Sequence, residues 1–106
     1  MKIIWTQNAL SDLKDIRSYL KQSESPVFVR RVTQEIVDQV QSVKEWPDKG
    51  TLVPELEDLH LTRHRQLRAG QHRIIVERDD DAVYVHMIAH TSRDLEALIR
   101  RRLLNS

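Results

Sequence analysis

The apolar residues of this chain change period once, and that change restricts the fold more than any other feature. Ala9, Leu13, Ile16 and Leu20 recur at three- and four-residue steps, opposite Asp12, Lys14, Asp15 and Lys21. Val29, Val32, Ile36, Val40 and Val43 repeat the pattern. Each series is one stripe along an amphipathic helix. Later the repeat is two: Val83, Val85, Met87 and Ala89 alternate with Tyr84, His86, Ile88 and His90. Only a strand places alternate residues on one face. Helices must therefore come first and a sheet later.

Local signals mark the boundaries. Lys2 to Thr6 reads as a short strand, because Ile3, Ile4 and Trp5 are β-formers. Thr6 can cap the first helix, and Ser25 followed by Pro26 starts the second, with proline where its missing N–H costs nothing. Pro47 stops that helix, and a less regular stretch follows. Arg63 to Arg68 and Gln71 to Arg78 read as a hairpin around Ala69 and Gly70. Asp79, Asp80 and Asp81 make the next turn, and a last helix begins near Ser92, lined by Leu95, Leu98, Ile99 and Leu103. The expected fold is α+β: an N-terminal strand, a two-helix hairpin packed on a mainly antiparallel four-stranded sheet, and a C-terminal helix. Helices gathered on one face would cover that sheet.

With 106 residues, the chain is expected to be one domain spanning 1–106. Apolar residues at 40% and charged residues at 31% fit a globular protein rather than a disordered one. No run approaches membrane-spanning length and no signal-peptide core is present, so a cytoplasmic protein without membrane contact is expected. The absence of cysteine removes disulfides and thiolate metal sites.

Charge is nearly balanced, 17 Lys and Arg against 16 Asp and Glu, yet Arg63 to Ile74 holds four arginines and two histidines without a carboxylate. Alternation puts Arg63, Arg65 and Leu67 on one face and His64, Gln66 and Arg68 on the other. Arginine offers a planar fork of donors matched to phosphate and carboxylate oxygens. Arg63, Arg65, Arg68 and Arg73, with Arg93, are therefore candidate contacts for something acidic from outside. The plain alternative is a solvated face, neutralised by Glu77, the three aspartates or the acids of Glu55 to Asp58.

Histidine spacing gives no metal site. His86 and His90 lie roughly 13 Å apart along one strand, too far for one ion. His60 and His64 straddle a helix-to-strand junction with no clear third ligand, so neither a metal nor another cofactor is expected. His90, ending the last strand three residues before Arg93, could be a general acid or base beside arginines, or could fasten strand to helix.

These residues resemble the RelE/ParE superfamily of type II toxin–antitoxin toxins over nearly the whole chain. The likeness runs through Trp5-Thr6 with Ala9, Asp12 and Leu13, through Trp46-Pro47 and Pro54-Glu55-Leu56, and is strongest from Arg65 to Ile74. Val83-Tyr84-Val85 and His90-Thr91-Ser92-Arg93-Asp94-Leu95 resemble the closing strand and the stretch after it. The resemblance implies a toxin neutralised by a cognate antitoxin in a hetero-oligomer. ParE-like members poison DNA gyrase. RelE-like members act on the ribosome and cleave mRNA without a metal, a role in which Arg65, Arg73 and His90 would be catalytic. The catalytic lysines common in RelE-like members have no counterpart, since every lysine lies at or before Lys49. That departure, with the further helix after the last strand and the low net charge of +1, favours the ParE-like branch. A member that retains only antitoxin binding is a third reading.

Overall fold

The computed structural model describes residues 1–57 and 63–104. Strand β1 (Lys2–Trp5) leads into α1 (Gln7–Lys21) and α2 (Pro26–Gln41), and a 3-10 turn, Ser42–Lys44, ends the helical hairpin. A four-residue helix, α3 (Pro54–Glu57), precedes β2 (His64–Ala69), β3 (His72–Asp79) and β4 (Ala82–His90). The final helix is α4 (Leu95–Leu104). Both expected caps form: Thr6 Oγ1 accepts the Ala9 N–H at 3.2 Å, and Ser25 Oγ accepts that of Phe28 at 3.2 Å. The last helix starts three residues later than expected, because Asp94 rather than Ser92 supplies the cap, taking the Ala97 N–H at 3.0 Å.

The sheet order is β1-β4-β3-β2. The β2–β3 and β3–β4 pairs are antiparallel, and β1 joins the far side of β4 in parallel. Fold class α+β and the mainly antiparallel sheet are thus as the periodicity required. The two-residue turn is Gly70-Gln71, with Gly70 at φ +56°, so the bend lies one position beyond the expected Ala69-Gly70. Along the outer edge of β2, Thr51 exchanges backbone hydrogen bonds with Gln66 at 3.1 and 2.8 Å. Gly50 allows that approach: its φ is +105°, and a Cβ there would sit 2.9 Å from the Gln66 carbonyl.

The expectation that all helices share one face is corrected. Leu67, Ala69, Ile74, Val76, Val83 and Val85 face α1 and α2, packing against Ala9, Ile36 and Val40. Ile75, Met87 and Ala89, on the opposite face, form a second core with Val53, Leu56, Leu95 and Leu98. β3 supplies large apolar residues to both faces in succession, and the second set needs its own cover. Helices α3 and α4 provide it. Helix α4 is also anchored from the other side: Asp12 of α1, which accepts the Ile88 N–H of β4 at 2.9 Å, pairs with Arg102 of α4. His60 and the side chain of Leu103 lie outside the described residues. No helix among those described is long and apolar enough to cross a membrane.

Candidate functional site

The hairpin arginines do not form one exposed cationic patch. Alternation sends Arg65 to the face shared with Leu67 and Val76, and its Nη1 donates to the His64 carbonyl at 3.0 Å. Arg73 emerges on the other face beside Gln66. Its Nη1 and Nη2 donate to the two oxygens of Glu55 at 2.8 Å each, and its Nε donates to Gln66 Oε1 at 2.8 Å. That bidentate pair holds the Glu55 carboxyl below the usual carboxylate range and raises Arg73 further. Arg63 pairs with Asp79 at 3.0 Å on the surface, and Arg78 pairs with Asp48.

Of the arginines expected to meet something acidic from outside, Arg63 and Arg73 are instead paired within the chain, as in the alternative where its own acids fold back. Glu55 was among the acids able to fold back. The short helix α3 brings it within reach of β3, and a partly buried cation on the second sheet face is stabilised by such a partner. Arg68 keeps an exposed position with Nε donating to the Gly70 carbonyl at 3.0 Å, and it meets no carboxylate among the described residues.

A groove of about 800 Å³ opens between the helical hairpin and the hairpin-turn end of the sheet. Ile16, Tyr19 and Leu20 of α1 and Phe28 and Val32 of α2 give it an apolar wall, with Ile88 and His72 opposite. Arg31, Arg93, Asp15 and Glu24 lie around it. Arg31 stands 5.4 Å from the centre of the Phe28 ring, a cation–π contact that holds its charge beside the apolar wall. Tyr19 is 72% exposed, so this wall presents an aromatic ring to solvent.

His90 also lines the groove, edge-on to His72 with ring centres 5.5 Å apart. Its Nδ1 accepts the Ser92 N–H at 3.1 Å and lies 2.8 Å from Ser92 Oγ. This contact is local to the turn after β4 and reaches no residue of α4, so it is not the strand-to-helix fastening considered from the sequence; His90 shares the groove with Arg93. Burial pushes the His72 pKa down, and the neighbouring His90 adds to the effect. Arg65, Arg73 and His90 do not converge: the first two lie on opposite sheet faces, and Arg73 is committed to Glu55.

The architecture can be set beside known proteins on this basis. A family description, the ParE toxin of the parDE type II toxin–antitoxin system, matches residues 3–95. The chain belongs to the ParE toxin family. It is accordingly the toxin of a type II toxin–antitoxin system, a class whose partner is an antitoxin. Among solved structures, the chromosomal ParDE toxin–antitoxin system from P. aeruginosa has a chain similar to this one, with a TM-score of 0.67 and 20% identity. The match covers 85% of this chain and 95% of that one, a likeness of fold. No curated protein sequence matched.

Within this ParE-family chain the sequence reading missed a histidine cluster. His86 does not approach His90; its Nε2 lies 2.7 Å from Glu77 Oε1, and its ring stacks on that of His64. Burial pushes the His64 pKa down. The three residues stand on three strands, so no spacing within one element could have revealed them.

Proposed function

We propose that this chain inhibits DNA gyrase, stalling it on cleaved DNA by binding and without bond chemistry of its own. The observation that carries the reading is the Arg73–Glu55 pair at 2.8 Å. Metal-free RNA cleavage needs cations poised at the phosphorane and an acid–base pair beside them. Arg73 would have to leave a bidentate carboxylate to serve there. Membership in the ParE family supports the same choice. Since gyrase works on chromosomal DNA, the protein acts in the cytoplasm.

The antitoxin that neutralises it lays apolar side chains into the groove beside Tyr19, Leu20 and Phe28, in the manner of a segment that folds on binding. Its carboxylates meet Arg31 and Arg93 at the groove and Arg68 at the turn. Arg63 and Arg65 contribute to the positive field of the hairpin and Arg73 to its rigidity.

The deciding experiment adds purified protein to gyrase and supercoiled plasmid. Inhibited supercoiling with trapped linear DNA is expected. Unchanged supercoiling with protein in excess, accompanied by cleavage of transcripts during in vitro translation, would establish the endonuclease reading instead. No effect in either assay, with antitoxin binding intact, would leave a chain that has kept only its partner.

A further inference from the structure

His64, Glu77 and His86 offer one donor atom each, all within 4.8 Å of one another. Two features of the sheet bring them together. His64 and Glu77 are cross-strand partners on β2 and β3. The register between β3 and β4 shifts at Ile75/Val76, where Val76 faces Val85 and Ile75 faces Met87. His86 is the extra residue of this bulge, and a bulge turns a side chain away from its regular direction. Here it turns the imidazole toward Glu77. The Tyr84 ring stacks beyond it at 6.2 Å and 18°, limiting its rotation.

The hydrogen bonding of this cluster is incomplete. Glu77 Oε1 is 2.7 Å from His86 Nε2 but 3.9 Å from His64 Nε2, beyond hydrogen-bond reach. His64 Nδ1 is buried and has no partner among the described residues. The ring thus makes no hydrogen bond to any described residue, although buried polar groups nearly always have a partner. An ion bound between the three side chains would give the ring a partner through Nε2, the atom nearest Glu77, and would leave Nδ1 as it is.

We propose that His64, Glu77 and His86 form a binding site for a first-row divalent transition metal of the Zn²⁺ class. Two imidazoles with one carboxylate suit such an ion and not Mg²⁺ or Ca²⁺, which take oxygen. Donor atoms around a tetrahedral Zn²⁺ stand roughly 3.3 Å apart, given bond lengths of 2.0–2.1 Å. The 2.7 Å gap must widen and the 3.9 Å gap must close, each by about 0.6 Å, a shift within reach of side-chain torsions. Side-chain exposures of 17%, 30% and 36% leave an entrance from solvent, so water completes the coordination. The ion would fasten β2, β3 and β4 to one another, and it lies on three strands outside the groove that lines α1 and α2.

The test uses the untagged full chain, titrated calorimetrically with ZnCl2. One saturable Zn²⁺ per chain and a rise in melting temperature are expected. His86→Gln and Glu77→Gln should each weaken binding by at least about 10–100-fold, the loss produced by removing even an outer-shell partner of a metal ligand. His72→Gln, which removes a histidine of the other ring pair, should leave it unchanged. Should either cluster variant misfold, NMR of the wild-type chain decides: Zn²⁺ must shift the His64 and His86 ring signals and spare those of His72 and His90. Absence of saturable binding, binding undiminished in both folded variants, or shifts centred on His72 and His90 would each overturn the proposal.

Discussion

Glu55 and Arg73 are joined by two parallel hydrogen bonds of 2.8 Å, with the arginine side chain 17% and the glutamate 24% exposed. The pair fixes helix α3 to strand β3 and turns a half-buried cation of the hairpin into a structural element. Glu55→Gln keeps the shape but loses the charge that faces Arg73. It should destabilise the chain by about 1.5–3 kcal/mol, as expected for hydrogen bonds to a charged group, measured by urea unfolding. If stability is unchanged, the pair is not holding α3.

The same pair sets an acid limit. An unpaired glutamate titrates near ~4.3, and Arg73 lowers the folded value of Glu55 below that. The unfolded chain then binds the extra proton, so this stabilisation is complete above ~4.3 and is lost as pH falls through the lower folded value. Unfolding midpoints of wild type and Glu55→Gln should converge over that acid range. Parallel curves down to the most acidic pH would contradict the assignment.

His72 supplies a second pH dependence, nearer neutrality. Burial and His90 hold its folded pKa below the ~6.5 of an unfolded chain. Protons again favour the unfolded state, so stability is full above ~6.5 and falls with acidification until the folded value is passed. The slope can reach about 1.4 kcal/mol per pH unit for one such group. A His72→Gln chain should show a shallower fall between neutrality and mild acid than wild type. An identical slope in the two chains would rule His72 out as its source.

Asp12 joins elements that are distant in sequence, through the Ile88 N–H and Arg102. Asp12→Ala strands a partly buried guanidinium and a backbone donor together. A loss of about 3–5 kcal/mol is expected, the cost of breaking a buried pair from one side. Faster hydrogen exchange in α4 than in α2 should accompany it, because α4 loses its tether while α2 keeps its core.

Tyr19 tests the groove. At 72% exposure it adds little to folding, so Tyr19→Ala should change stability by less than about 0.5 kcal/mol. Aromatic anchors dominate interfaces, and the same change should weaken antitoxin binding by at least about 2 kcal/mol in calorimetry. Arg93→Glu should weaken it in a way that added salt diminishes. Full affinity in both variants would move the antitoxin to another surface.

Sequence alone determined the elements apart from the four-residue α3, since each of the others is a local matter. The stripes Ala9 to Leu20 and Val29 to Val40 and the caps Thr6 and Ser25 became what their periods require, whereas the stripe's last member, Val43, falls in the 3-10 turn. The alternation through β4 holds only to the bulge at His86, which sends Val83 and Val85 to one face and Met87 and Ala89 to the other. Local pattern also set which hairpin residues share a face, because alternation is a property of a single strand. Tertiary structure decided what lies across from what. It gave the sheet a second covered face, since Ile75, Met87 and Ala89 acquire a partner only when α3 and α4 return to them. It took Arg73 out of the cationic patch by bringing in Glu55, and it gathered His64, Glu77 and His86 through strand register and one bulge. The physical reason is common to all three. Periodicity records the direction a side chain takes from its own backbone, whereas pairing between charges or ligands depends on distances that only folding sets.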